Sequence, residues 1–151
     1  MALKGDRVEH LTDISYFKSD AVAERGIMLV HGTGGSGAAM DDSAALVRDA
    51  AAYEDEPAGL LLNDVVNIDL TRQQYNAHKD EVQLGGKVTL LRHGTVVTDQ
   101  ISGTPVIGSG AHFALDGTLT CGNEQAGSAK VGRWLSTLDA DGFAKVEINI
   151  V

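Results

Sequence analysis

The chain has 151 residues, with 12 lysines and arginines against 21 aspartates and glutamates, and a net charge of −9 at pH 7. This length fits one domain around a single core. The acidic balance, without a basic run, argues against a nucleic-acid partner, and no segment approaches the roughly 20 apolar residues that span a bilayer. We therefore expect neither nucleic acid nor a membrane as a partner.

The first segment, residues 1–25, is mixed and charged, and its apolar residues follow no sustained period. This pattern predicts an extended N-terminal arm in front of one β-rich domain at residues 26–151. Tyr16 and Phe17 carry much of the aromatic content within the arm. Because aromatic side chains dominate both cores and interfaces, the pair either packs on the domain or docks to a neighbouring subunit.

A glycine-rich segment follows the first strong strand signal. The run GIMLVH at residues 26–31 predicts a buried strand, and Gly32 to Gly37 then match G-x-G-x-x-G, with residues 38–53 able to form a helix behind it. Backbone N–H groups at such a turn bind pyrophosphate. A dinucleotide fold also needs alternating strands and helices, and no second convincing helix follows, so a flexible glycine loop is favoured.

The same region offers a hydrolase-like pattern. Leu29-Val30-His31-Gly32 is similar to the strand end that supplies oxyanion-binding amides in α/β-hydrolases. The matching G-x-S-x-G nucleophile elbow is missing, because Ser36 lies in GGSGA and Ser109 lies in IGSGA. We therefore expect no catalytic residue and no enzymatic activity.

The second half of the chain reads as strands separated by turns. Lys87 to Ile101 contains two β-rich runs that meet at His93-Gly94, which predicts a β-hairpin. Asp116-Gly117 and Asp141-Gly142 mark further turns, and the last segment alternates apolar and polar residues. Turns about every 8–12 residues predict a mainly β fold, an antiparallel sandwich or small barrel, with one short helix and the extended arm.

No metal or cofactor site is expected from the sequence. The five histidines show no i, i+4 pair or HExxH spacing, so a zinc site would have to be assembled wholly by the fold. The sequence Asp139-Ala140-Asp141-Gly142 mimics part of a calcium loop, but Thr137 and Ile148 occupy its first and twelfth positions. Cys121 is the only cysteine, which excludes an intrachain disulfide.

Three segments carry a resemblance to a known family: LLNDVVNIDL at residues 61–70, GKVTLLRHGTVVTDQISGTPVIGSGAHFALDGTLT at residues 86–120, and AKVGRWLSTLDADGFAKVEIN at residues 129–149. Together they resemble the β-rich part of the small capsid decoration, or cement, proteins of tailed bacteriophages. The shared features are turn and packing patterns, and they include the run from Gly108 to Gly117 and the strand after Asp141-Gly142.

The resemblance implies a virion structural protein on the capsid exterior. The resemblance implies that such a protein binds the outer surface of the major capsid protein shell as a homotrimer at three-fold positions and stabilises the shell without catalysis. Tyr16 and Phe17 are the predicted capsid contacts. Two alternatives stay open: a small nucleotide- or acyl-handling enzyme built on Gly32 to Gly37, and a β-barrel glycan-binding adhesin, which the low aromatic content disfavours.

Overall fold

The computed structural model describes residues 3–18, 20–32, 46–66, 81–83, 86–121 and 128–150. These residues form strands and no helix. The strands are β1 (Val8–Asp13), β2 (Phe17–Lys18), β3 (Met28–His31), β4 (Leu46–Arg48), β5 (Pro57–Leu61), β6 (Asp64–Val66), β7 (Glu81–Gln83), β8 (Leu90–Thr98), β9 (Ile101–Ser102), β10 (Gly110–Phe113), β11 (Leu119–Cys121), β12 (Gly132–Trp134) and β13 (Ala144–Asn149).

One large sheet contains eleven of these strands, which confirms the mainly β prediction. Its order is β2-β4-β3-β5-β8-β13-β12-β10-β11-β9, with β1 also paired to β8, while β6 and β7 form a separate parallel pair. The sheet is mixed, because β2·β4 and β9·β11 are parallel and the other pairs are antiparallel. It is also open, since its end strands β2 and β9 do not pair with each other in the described chain.

The middle of the sheet is buried on both faces. Along β3, Met28 and Val30 belong to one hydrophobic cluster and Leu29 belongs to a second, and along β5 Leu60 and Leu61 divide in the same way. A strand covered on both faces reads as a continuous apolar run rather than an alternation. This explains the GIMLVH run and confirms the buried strand predicted there.

The C-terminal strands face the first cluster on one side only. In β13, Ala144, Val146 and Ile148 are buried, while the residues between them are exposed or half-buried, as the alternation predicts. The Asp116-Gly117 turn joins β10 to β11, and its Gly117 has a φ of 82°. Positive φ at this position is the reason that the turn uses glycine.

The predicted hairpin at His93-Gly94 is wrong, because β8 runs without a break from Leu90 to Thr98. Strand β13 pairs with β8 from His93 to Thr98, and β1 pairs with it from Leu90 to Thr95. Ladders on both edges therefore hold the chain extended through His93-Gly94. Glycine serves here to admit a neighbouring strand, since the Val8 carbonyl occupies the place of a β-carbon on Gly94.

Strand β8 also connects the two halves of the sheet. Along one edge of β8, Leu90 and Leu91 pair with β5, and the residues from His93 onward pair with β13. Strand β1 pairs along the other edge. Leu91 and Val96 face the same hydrophobic cluster although they are five residues apart. An odd spacing does not fit strict two-residue alternation. The strand therefore changes face between Leu91 and Val96, near Gly94.

The predicted short helix is also wrong where the structure describes it. Within residues 38–53, Leu46–Arg48 is strand β4, which pairs with β3 through Val30↔Arg48 and His31↔Val47. Pairing with a buried strand thus outweighs the helical spacing of the alanine-rich sequence. Residues 38–45, and residues 33–37 of the glycine loop, lie outside the described residues.

Candidate interaction surface

The described part of the first 25 residues contacts the rest of the chain along much of its length. Leu3 bridges to Thr98, β1 pairs with β8, β2 pairs with β4, and Ala23 bridges to Val65. Leu3 is buried in the first cluster, so this end of the arm is anchored by apolar contact as well as by hydrogen bonds. The described part of the arm thus adds strands to the large sheet.

Tyr16 and Phe17 lie against the domain with part of each ring exposed. Tyr16 packs on the second hydrophobic cluster, and its ring meets the His31 ring edge-on with centroids 5.3 Å apart. Phe17 pairs with Leu46 in β2·β4, and the Lys87 ammonium lies 5.5 Å from the centre of its ring. Their predicted role as capsid contacts stays a prediction.

Exposed apolar side chains lie along strand β1 and just beyond it. Val8 is 51% exposed, and Leu11 and Ile14, just beyond the strand, are each 47% exposed. All residues of β1 except Asp13 are exposed. In the described chain β1 pairs with β8 alone, so its outer edge presents backbone groups as well as aliphatic side chains. Such an edge can pair with a strand of another molecule.

Ion pairs lie at both ends of β1. Arg7 Nε lies 2.7 Å from Glu9 Oε1, and Arg92 Nη1 lies 3.9 Å from Asp13 Oδ2. Ahead of the strand, Lys4 Nζ lies 3.2 Å from Asp139 Oδ2. The Phe143 N–H, which donates to Asp139, and this lysine both lower the pKa of the Asp139 carboxyl. The calcium-like turn is thus filled by backbone and lysine donors.

A bulge in β1 brings two histidines together. Glu9 pairs with Gly94 and Leu11 pairs with His93, so His10 is the extra residue between two ladder positions. A bulge re-aims the side chain of its extra residue. The His10 and His93 rings lie with centroids 5.1 Å apart and their planes at 38°. His31 and His112 lie elsewhere, and His78 falls outside the described residues.

A polar concavity of about 370 Å³ lies on the outer face of β12 and β13. Its lining combines two cations, one carboxylate and one side-chain amide with a glycine: in that order they are Lys130 and Arg133, Glu147, Asn149, and Gly132. Arg133 Nε donates to Glu147 Oε2 at 2.9 Å. Asn149 is also the ladder partner of His93, so the concavity and the histidine pair share one face.

The groups considered for catalysis are engaged in the fold. The Gly32 N–H donates to the Leu46 carbonyl at 2.8 Å, and the His31 N–H donates to the Glu56 carbonyl at 3.0 Å. Neither amide is therefore free to bind an oxyanion. Ser109 Oγ donates to the Val106 carbonyl at 2.6 Å and lies 2.9 Å from Cys121 Sγ. Ser36 lies outside the described residues.

A fully buried lysine fixes the chain after β2. Lys18 Nζ donates to Asp20 Oδ1 at 2.6 Å and to the Ala21 carbonyl at 3.0 Å. Asp49 Oδ1 lies 3.1 Å from the same nitrogen as an ion-pair contact, outside hydrogen-bond geometry. Both carboxylates keep part of their surface in solvent. A buried ammonium needs such partners, so the cluster joins the arm to the segment after β4.

Two comparisons, with protein-family models and with curated proteins, found no match to this chain. Within the described ranges, no three His, Cys, Asp or Glu side chains gather into one group that could hold a metal ion. The same ranges contain no helix of the length and apolarity needed to cross a membrane.

Sequence reasoning missed both the β1 edge and the histidine pair. His10 and His93 belong to strands far apart in the chain, and only the register of β1 on β8 brings them together. In the sequence, the aliphatic residues of β1 belong to an arm whose apolar residues follow no regular period. That absence of a core-facing period was the one signal in the sequence that the arm is not fully buried.

Proposed function

We propose that this protein is a capsid decoration protein, which binds the outer surface of a major capsid protein shell as a homotrimer and stabilises the shell without catalysis. The observation that carries the proposal is the exposed edge of β1, where Val8 and Leu11 present apolar surface beside unpaired backbone groups. Glu9 and the bulge at His10 limit strand pairing along part of this edge, so the aliphatic side chains of Val8 and Leu11 are the part that we expect to meet a partner. The resemblance of three segments to phage cement proteins supplies the partner.

Stabilisation follows from binding only the assembled form. A protein that contacts two neighbouring subunits of a shell gains its contacts only when both are in place, so its binding free energy adds to the stability of the shell. Specific association of this kind buries about 1,600 Å² in total. Residues Val8 to Ile14 span the edge that would enter such a contact, while the two hydrophobic clusters keep the rest of the domain folded.

The test is co-sedimentation of the protein with purified shells that lack it, together with the solution mass of the free chain. We expect saturable binding, a higher melting temperature of the shell and a trimeric mass. Failure to bind, in a correctly folded preparation, would reject the proposal.

A matched pair of double variants tests the role of β1. Val8→Asn with Leu11→Asn removes two half-exposed aliphatic side chains from the edge, and Val106→Asn with Ile107→Asn removes two from the connection between β9 and β10, where they are 57% and 66% exposed. Burying the exposed part of each side chain contributes about 1 kcal/mol. The β1 variant should therefore bind about 30-fold more weakly, and the control should bind normally. Equal loss in both variants would show that β1 is not the contact.

A further inference from the structure

We propose that His10 and His93 form a transition-metal site that clamps β1 to β8. The site takes a divalent ion that prefers imidazole nitrogen, such as Zn²⁺, Ni²⁺ or Cu²⁺. It arises from the register of two strands and does not depend on shell binding.

The separation of the two rings fits chelation. A metal bound at about 2.1 Å to one nitrogen of each ring stands about 3.2 Å from each ring centre. Ring centres 5.1 Å apart then correspond to an angle of about 105° at the metal, close to the tetrahedral value. The ring planes are inclined to each other by 38°, so the rings are not parallel.

The local structure holds this geometry in place. His10 is the extra residue of the β1 bulge, and His93 lies in the long strand β8 between its ladders to β1 and β13. Gly94 has no side chain, so β1 approaches closely enough for the rings to meet. The backbone on both sides of the pair is thus fixed before a metal binds, which lowers the entropic cost of chelation.

The remaining coordination positions are open to solvent or to a ligand. Glu9, the acidic residue that precedes His10 in β1, forms an ion pair with Arg7. In the part of the chain that the structure describes, no third His, Cys, Asp or Glu completes a cluster with the pair. His10 is exposed and His93 is half-buried, so water can supply the other ligands.

Metal binding to this pair should stabilise the attachment of β1 to β8. Because the two ligands come from β1 and β8, separating the strands breaks the chelate. A metal at 100 times its dissociation constant should therefore reduce the opening of β1 by about 100-fold. Exchange of the amide hydrogens of β1 reports this directly, whereas a metal held elsewhere on the surface would leave their exchange unchanged.

The first experiment is calorimetric titration of the tag-free chain with NiCl₂ at pH 7.5. We expect one saturable site per chain, with affinity reduced at least about tenfold in His10→Ala and in His93→Gln, because each variant retains a single ligand. His31→Ala is the control, since that histidine contacts Tyr16 instead, and it should bind nickel as the original chain does. MgCl₂ should give no saturable heat, because magnesium prefers oxygen ligands.

The second experiment is hydrogen exchange of residues 8–13 with and without nickel. Slower exchange in the original chain, absent in His10→Ala, is the expected result. The proposal is overturned if the original chain shows no saturable nickel binding, if His10→Ala binds as tightly as the original chain, or if nickel binds without slowing exchange in β1.

Discussion

The carbonyl oxygen of Val8 occupies the space in which a β-carbon on Gly94 would lie. This contact joins the exposed edge strand β1 to the central strand β8. It lies where the alternation of buried and outward-facing residues in β8 is interrupted, between Leu91 and Val96. The glycine therefore makes the β1 ladder possible, and through it both the proposed docking edge and the histidine pair.

Gly94→Ala should accordingly weaken the attachment of β1. The added methyl group must displace the Val8 carbonyl, and steric insertion of this kind costs about 1–3 kcal/mol. Urea unfolding measures the loss of stability. The increase in amide exchange caused by the substitution should be larger for Val8–Asp13 than for β13. Gly5→Ala is the control, because a β-carbon there has no neighbour within 4 Å. Unchanged exchange of β1 in Gly94→Ala would contradict this account.

Local patterns in the sequence predicted the elements whose partners are close or whose burial is complete. The alternation of Ala144, Val146 and Ile148 identified β13, and the apolar run through Met28 identified a buried strand, which the structure shows to be covered on both faces. The Asp116-Gly117 turn followed from the need for positive φ. In each of these cases, a local requirement such as one-sided burial or a positive φ is met by a characteristic sequence pattern.

The wrong predictions, and the histidine pair that was missed, concern structure that depends on pairing with strands distant in the sequence. His93-Gly94 between β-forming runs fits a tight turn and also a close approach of two strands, and only the presence of β1 selects the second. Leu46–Arg48 lies in a sequence with helical spacing, but a ladder to β3 makes it a strand. The His10–His93 pair depends on a bulge in the same β1 ladder, so the candidate metal site was hidden for the same reason.

Lys18→Met should destabilise the fold because it leaves two carboxylates without their shared cation. Removing one partner of a fully buried ion pair costs about 3–5 kcal/mol. Asp20 and Asp49 are each more than a third exposed, so water can hydrate them in the variant. We therefore expect a loss of about 1–3 kcal/mol in urea unfolding.

The exposed pair of Lys4 and Asp139 provides the comparison for this variant. Lys4→Met should change stability by less than about 1 kcal/mol, because both charges remain accessible to solvent. If Lys18→Met were as mild as Lys4→Met, the buried ammonium would not be holding the arm to the segment after β4.

Trp134→Phe should also lower stability, by about 1–3 kcal/mol. The indole is fully buried, and its Nε1–H donates to the Thr120 carbonyl at 3.2 Å, so phenylalanine leaves a small void and an unpaired acceptor. Unfolding must be followed by circular dichroism, since Trp134 is the only tryptophan. Arg133→Gln, on the exposed face of the same strand, should change stability by less than about 1 kcal/mol. Similar losses in both variants would contradict the assigned packing of Trp134.

Asp55 should make stability depend on pH in the acid range. The hydrogen bonds from Arg48, together with the N–H groups of Ala51 and Ala52, lower the pKa of Asp55 from 3.8 to about 2. A carboxyl whose pKa is lower in the folded chain contributes stability above its unfolded pKa and loses that contribution as pH falls from about 4 to about 2. Solvent around Arg48 screens the pair, so the contribution is about 1 kcal/mol. Asp55→Asn should therefore be less stable than the original chain by about this amount at pH 7 and equally stable near pH 2, as measured by urea unfolding. A difference that stays constant between these pH values would show that the ionised carboxylate is not the source of the stabilisation.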